Sequence, residues 1–381
     1  MKLLFASDSF KGTLRSDEIA QLLTRAADEV FTRPDCLSLA VADGGEGSIC
    51  AVVNAVGGQI RKHKVNGPYG NTVEASYAIL GDGSAFIEMA QASGLTLAPK
   101  AERNPMLAST YGTGQLILEA INQGISNITI SIGGSATNDG GLGCLRALGA
   151  KLIGREGELL QGCGADLLRL AAIDIGLVSK RLAGKNITVM CDVNNPLCGP
   201  EGATHVFAAQ KGATLAQIDL LEQGMENYRN IICHTFGIDP NDVEGSGAAG
   251  GLGAALIVVL GGTKRSGIDT ILQMTQFESK ISGVDYVVTG EGCLDSQSCF
   301  GKVISGVAKM CKEQGVKSVA LVGTKGEGWE EIHQHGISRV FAVTDYFSLH
   351  DSLSNPRDTY FKAAKEMFKS FEKSIICLTN C

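Results

Sequence analysis

The sequence predicts an α/β protein with largely parallel sheet, divided into more than one domain. Three observations carry that reading. Short apolar, β-branched runs recur, and each stops at a polar or glycine-rich turn. Helical patterns with one apolar face lie between those runs. The chain has 381 residues, 44% of them hydrophobic and 19% charged, which is more than one ordinary domain and ample for packed cores.

In chain order, the first run is Leu3-Leu4-Phe5-Ala6, which leads into Ser7-Asp8-Ser9-Phe10-Lys11-Gly12. A helix follows: Ile19, Leu22, Leu23, Ala26 and Val30 recur at three- and four-residue steps, with Ser16 placed to cap it and Asp17 and Glu18 in its first turn. Leu37 to Val41 leads into Asp43-Gly44-Gly45-Glu46-Gly47. Ile128 to Ile132 leads into Gly133-Gly134-Ser135-Ala136-Thr137-Asn138-Asp139-Gly140-Gly141-Leu142-Gly143, and a helical run at Leu145 to Leu148 comes next. Ile187 to Met190 leads into Asp192-Val193-Asn194-Asn195-Pro196, and Tyr286 to Val288 into Thr289-Gly290-Glu291-Gly292. Val303, Val307, Ala308 and Cys311 mark another amphipathic helix, Ser318 to Val322 and Val340 to Val343 are the last strand candidates, and Lys365 to Lys373 reads as a final amphipathic helix. In parallel sheets the ligand lies beyond the carboxyl ends of the strands, where these polar turns fall.

Charge and cysteine usage narrow the function classes. A net charge of −7 argues against general binding to nucleic acid or an anionic membrane, though not against a small anionic substrate. The twelve cysteines are scattered without a C-x-x-C pair. They read as reduced, core-filling thiols; the spacings of Cys191 with Cys198 and of Cys293 with Cys299 admit zinc without requiring it. His333 and His335 read as solvated. No run is long enough for a secretory signal or a bilayer span, so the expected address is the cytoplasm.

Forty-nine glycines are about twice the usual share. Glycine lets backbone N–H groups approach a ligand, and such a turn before a helix N-terminus makes an anion site. The loop from Gly133 to Gly143 therefore has two readings. It is an anion cradle with Ser135 and Thr137 as hydroxyl donors, or a tight strand-to-helix turn capped by Asn138 or Asp139. The other turns favour chemistry. Asp8, Asp43, Glu46, Asp192, Glu291 and Asp295 all follow apolar runs, and Lys11 and Lys302 lie in the same kind of turn. Carboxylates gathered by one sheet edge suit a hard cation and proton abstraction, and lysines neutralise phosphate. Together they describe a phosphoryl-transfer site, where catalysis is mostly positioning and charge stabilisation. Standard nucleotide motifs do not fit. Gly301-Lys302 has Ser296 where a Walker A loop needs glycine and Val303 where it needs a hydroxyl. Gly245-Ser246-Gly247-Ala248-Ala249-Gly250 matches G-x-G-x-x-G, with Asp269 near the acidic spacing, but Pro240 to Glu244 before it is not strand-like, so it reads as a glycine-rich lead-in to a helix around Ala254 to Leu260.

In this order the turns resemble the type I glycerate kinase family. The resemblance runs through Ser7 to Leu14, Ala42 to Gly47, Ile87 to Leu95, Arg103 to Pro105 and Thr110 to Gly114. It continues through Ile132 to Gly141, Cys191 to Ala203, Gln210 to Ala213, Gly245 to Leu256, Thr289 to Ser298 and Gly301-Lys302. It implies transfer of the ATP γ-phosphoryl group to a hydroxyl of D-glycerate with Mg²⁺, giving 2-phosphoglycerate. It also implies a Rossmann-like domain formed by both chain ends, 1–62 and 284–381, a central inserted α/β domain, 63–283, and an active-site cleft between them.

Carried over by motif, Asp192 and Asp295 are the candidates for catalytic base or metal-linked carboxylate, and Lys11 joins them as a catalytic cation. Substrate or phosphate contacts fall to Gly134, Ser135, Thr137, Asn138, Asp139, Asp8, Asp43, Glu46, Glu291 and Lys302. For Asp8, Asp43 and Glu46, helix capping or a place behind a metal's ligands is an equal alternative. Glu88 and Arg103 read first as a helix cap or an ion pair between elements, with a functional role as the alternative. The chain departs from the family pattern at Ala208-Ala209, where a glycine-proline pair is expected, and at Asn194, Cys293 and Ile304. Three alternatives stand beside this reading: 3-phosphoglycerate as product or another hydroxy acid as acceptor, a dinucleotide-dependent oxidoreductase, and a non-catalytic sugar-acid or nucleotide sensor. Oligomeric state is left open, a homodimer among the options.

Overall fold

The computed structural model describes residues 1–10, 12–39, 41, 48–299 and 302–379, with backbone alone at 297 and 372–379. The chain divides into two compact units. One comprises Met1–Asp43, Asn54–Val56 and Gly267–Cys381, and the other Gly44–Val53 and Gly57–Ser266.

In the unit built from the chain ends, a five-stranded sheet runs in the order Ile337–Ala342, Lys317–Val322, Tyr286–Gly290, Lys2–Ser7, Asp35–Ser38. Every neighbouring pair is parallel. Pairing of Leu3 with Tyr286 and of Ser7 with Gly290 joins the two ends of the chain in one sheet. Side chains alternate between faces, as a strand's period of two requires. Val319 and Leu321 pack with Leu3, Phe5 and Phe341 against helices Ser16–Val30 and Pro356–Thr379. Ala320 and Val322 pack with Ala342, Ile304 and Ala308 on the side of helix Val303–Glu313. A parallel sheet is stable when both faces are covered in this way. Phe368 anchors the first face, its ring centroid 5.6 Å from those of Phe31 and Phe371 and 6.2 Å from that of Phe5. Ser16 does not cap its helix: it is the first helical residue, and the N-terminus is closed from inside by Glu18 Oε2, which accepts from the Arg15 N–H at 3.0 Å.

The central unit holds a six-stranded mixed sheet. Thr263–Arg265, Asn186–Met190, Asn127–Ser131 and Ala85–Glu88 are parallel neighbours, and the hairpin of Thr72–Leu80 and Gly58–Asn66 extends the sheet antiparallel. Because Gly58–Asn66 pairs along its whole length with Thr72–Leu80, residues 58–62 go with this unit. Ile268 packs beneath Gly306 of helix Val303–Glu313, so residues from 267 onward go with the chain ends. A second small pairing, Lys151–Gly154 with Leu170–Asp174, is antiparallel. The 22-residue helix Leu215–Phe236 covers the core with Leu221, Met225, Tyr228 and Ile232. Thr214 and Gln217 cap its start reciprocally, and Gly237 in the left-handed conformation ends it. Among the described residues, no helix is long and apolar enough to cross a membrane.

Candidate active site

All five strands of the chain-end unit point the same way, so their carboxyl ends share one edge. The order places Lys2–Ser7 between Asp35–Ser38 and Tyr286–Gly290, and the connections diverge there, which is where open α/β sheets bind ligands. The loops leaving Ser7 and Gly290 are stitched together by the Asp8 N–H, which donates to the Gly290 carbonyl at 2.9 Å. A pocket of ≈ 400 Å³ opens at this edge, and Asp8, Glu291, Asp295 and Lys302 line its polar side.

Lys302 precedes the first turn of helix Val303–Glu313. Its Nζ lies 3.5 Å from Glu291 Oε2 and 3.8 Å from Asp295 Oδ1, and donates to Ser298 Oγ at 3.4 Å. Asp295 is fixed by a local turn: its Oδ1 accepts from the Ser298 N–H at 3.1 Å and from Ser298 Oγ at 3.2 Å. The Glu291 side chain keeps only 12% of its surface exposed. Burial pushes its carboxyl above the usual range, against the pull of nearby Ser298 and Lys302. Its Oε1 is buried and makes no hydrogen bond among the described residues. Cys293 lines the same pocket; partial burial and then Asp295 and Glu291 raise its thiol above the usual range.

The donor set suits Mg²⁺. No three His, Cys, Asp or Glu converge as a metal cage among the described residues. Mg²⁺ held with a nucleotide needs one or two carboxylates, because phosphates and water complete its shell. The unpartnered Glu291 Oε1 and the Asp295 carboxylate are oxygen donors of that kind.

In the central unit, parallel strands Asn127–Ser131 and Asn186–Met190 end side by side, Ser131 beside Met190. Exposed Gly133 and Gly134 follow the first, and exposed Asp192 and Asn194 follow the second. Lys264, on the neighbouring edge strand, places its ammonium on Asn194 Oδ1 and 3.4 Å from Glu244 Oε2. This cation was not among the sequence candidates. A three-residue strand, Thr263-Lys264-Arg265, gives no periodic signal, and only its pairing beside Asp192's strand reveals it.

The rest of the Gly133–Gly143 loop turns inward. Ser135 is pinned beside Gly94, between the Leu95 N–H donating to the Gly134 carbonyl and the Ala136 N–H donating to the Ser93 carbonyl, both 2.9 Å. Thr137, Asn138 and Asp139 are wholly buried. Asn138 Nδ2 donates to Thr204 Oγ1 at 3.1 Å. Asp139 Oδ2 accepts from the Thr110 N–H and hydroxyl, each at 2.7 Å, and from the Gly143 N–H at 3.2 Å; Oδ1 accepts from the Gly141 N–H at 3.1 Å. The anion held at the start of helix Leu142–Ala147 is therefore the chain's own carboxylate. Burial pushes Asp139 up while these hydrogen bonds hold it down. Lys211 is buried with it and donates to the Thr137 carbonyl at 2.7 Å. Burial lowers its ammonium to about 7, with Asp139 pulling the other way.

The second glycine-rich stretch explains the first. The Gly140 N–H donates to the Gly250 carbonyl at 2.9 Å. Gly250 has φ +67°, and any Cβ there would collide with the Thr137 carbonyl oxygen. The G-x-G-x-x-G match thus packs against protein backbone. It follows the 3₁₀ turn Pro240–Asp242 rather than a strand, so the dinucleotide reading fails on its context. Lys11, Asp43 and Glu46 lie outside the described residues.

Comparison with known proteins places this arrangement. The model of the glycerate kinase family matches residues 3–372. The chain is 42% identical over 369 residues to the glycerate 2-kinase of Escherichia coli K12, covering 96% of this chain and 97% of that one. It is 40% identical over 374 residues to the glycerate kinase of Bacillus subtilis 168, covering 98% of each. Among solved structures it is similar to a Salmonella typhimurium LT2 protein assigned as glycerate kinase 2. The TM-score is 0.88 and the identity 40%, over 98% of this chain and 99% of that one.

Proposed function

This chain belongs to the glycerate kinase family, and from that membership we propose that it transfers the γ-phosphoryl group of ATP to a hydroxyl of D-glycerate, giving 2-phosphoglycerate. The observation that carries the reading is 42% identity to a glycerate 2-kinase along 96% of the chain. The polar edges described above support it chemically.

The glycerate hydroxyl oxygen attacks the γ-phosphorus, the bond from phosphorus to the bridging oxygen of ADP breaks, and the hydroxyl proton passes to a carboxylate. Asp192 and Asp295 are the two candidates for that base. Each follows a parallel strand or its adjoining turn in a different unit of the chain. Lys302, held between Glu291, Asp295 and Ser298, supplies positive charge toward phosphate oxygens. Lys264 and the backbone of exposed Gly133 and Gly134 offer the same to an anion beside Asp192, and Lys11 and Ser135 are carried from the sequence as further contacts. Mg²⁺, where bound by Glu291 and Asp295, would neutralise charge on the phosphates.

ADP release on addition of D-glycerate tests the assignment of the base. Asp192→Asn or Asp295→Asn, whichever removes the base, should lower kcat by a factor on the order of 10²–10⁴ with unchanged thermal unfolding. Wild-type turnover in both variants would contradict the assignment.

A further inference from the structure

The pocket in the chain-end unit is larger and more apolar than a three-carbon acid requires. Its volume, ≈ 400 Å³, falls in the range of small-molecule sites, about 300–1,000 Å³. Glu291, Asp295 and Lys302 line it together with Phe10, Leu14, Leu349, Leu353 and Tyr360. D-Glycerate is a carboxylate with two hydroxyls and has no apolar face to cover such a wall.

Leu349 and Leu353 are 57% and 59% exposed, four residues apart on helix Leu349–Ser354. Residues at that spacing share one helix face, and both line the pocket. Three hydroxyls line it as well. Thr13 Oγ1 donates to the Phe10 carbonyl at 3.0 Å, Ser352 Oγ to the Ser348 carbonyl at 2.9 Å, and Thr359 Oγ1 to the Asn355 carbonyl at 3.0 Å. Each has spent its proton on backbone, so what remains is acceptor lone pairs. A flat ring with an apolar face and an exocyclic amino group matches the leucines and these acceptors, and a phosphate chain matches Lys302.

We propose that this pocket is the nucleotide subsite, with an adenine ring against Leu349 and Leu353 and its phosphates directed toward Lys302. The assignment rests on the phosphotransferase reading and deepens it by naming where the phosphoryl donor lies. The amino group of adenine donates to the acceptor hydroxyls; hypoxanthine, which carries a carbonyl oxygen at that position, meets lone pairs instead.

Calorimetric titration of the full chain with ADP and with IDP tests this directly, without turnover. The wild type should bind ADP more tightly than IDP by ~10-fold or more, the cost of facing acceptor with acceptor. Leu349→Asp and Leu353→Asp should each weaken ADP by ~10-fold or more, and the KM for D-glycerate should stay within about twofold. Both leucines are exposed, so the variants retain the fold, which a thermal melt verifies. ADP affinity unchanged in both variants, or equal affinity for ADP and IDP, overturns the proposal. If the wild type phosphorylates D-glycerate while the variants bind ADP normally, the subsite is wrong and the kinase reading stands. If the variants lose ADP but the wild type does not phosphorylate D-glycerate, the subsite stands and the kinase reading falls.

Discussion

Asp139 and Lys211 are titratable side chains held where water does not reach, and each has a measurable consequence. An amide at 139 turns an NH₂ or a weaker acceptor toward donors that now meet a carboxylate, so Asp139→Asn should cost about 2–4 kcal/mol in urea unfolding. The Lys211 ammonium titrates near 7 when folded and near 10.5 when free. Below pH 7 both states carry the proton; between the two values only the unfolded state does, so folding becomes more favourable as pH rises, by at most ~1.4 kcal/mol per unit. The stability of the wild type minus that of Lys211→Met should therefore increase by about 2 kcal/mol from pH 7 to 9. A flat difference would show that the amine keeps its proton. The sequence offered both roles for Asp139, cap and ligand contact, and could not choose. A carboxylate before a glycine pair reads alike whether the helix start is exposed or buried, and its hydrogen bonds from Thr110, Gly141 and Gly143 are visible only in the fold.

At the scale of elements, the two glycine-rich loops act as one packed unit. Gly250→Ala should cost about 3 kcal/mol or more, because the added methyl meets the Thr137 carbonyl at a positive φ. Gly199→Ala is the control: its φ is +97° but nothing lies near the added methyl, so about 1 kcal/mol is expected. Equal losses in thermal unfolding would deny the packing argument. The parallel strands were legible because buried, β-branched runs such as Val319 to Val322 end abruptly in turns. The hairpin strand Gly58–Asn66 was not. Nearly all of GQIRKHKVN is exposed at a sheet edge, so it lacks the apolar alternation that marks a strand. The leucines of helix Leu349–Ser354 were not singled out in the sequence, and only the pocket beside them marks the pair.

For the molecule as a whole, the pairing of Lys2–Ser7 with Tyr286–Gly290 places strands from both chain ends in one sheet. The order of strands explains why carboxylates far apart in sequence, Asp8 and Glu291, line one pocket. Of the sequence candidates, Asp8, Glu291, Asp295 and Lys302 gather there, while Gly134 and Asp192 follow neighbouring strands of the central unit. The measurement that bears most directly on the central claim is ³¹P NMR of the purified protein with MgATP, with and without D-glycerate. The account predicts a new phosphomonoester resonance matching 2-phosphoglycerate, with ADP formed in equal amount and only when glycerate is present. A 3-phosphoglycerate resonance would contradict the regiochemistry. ATP left intact, with no ester formed, would contradict the function itself.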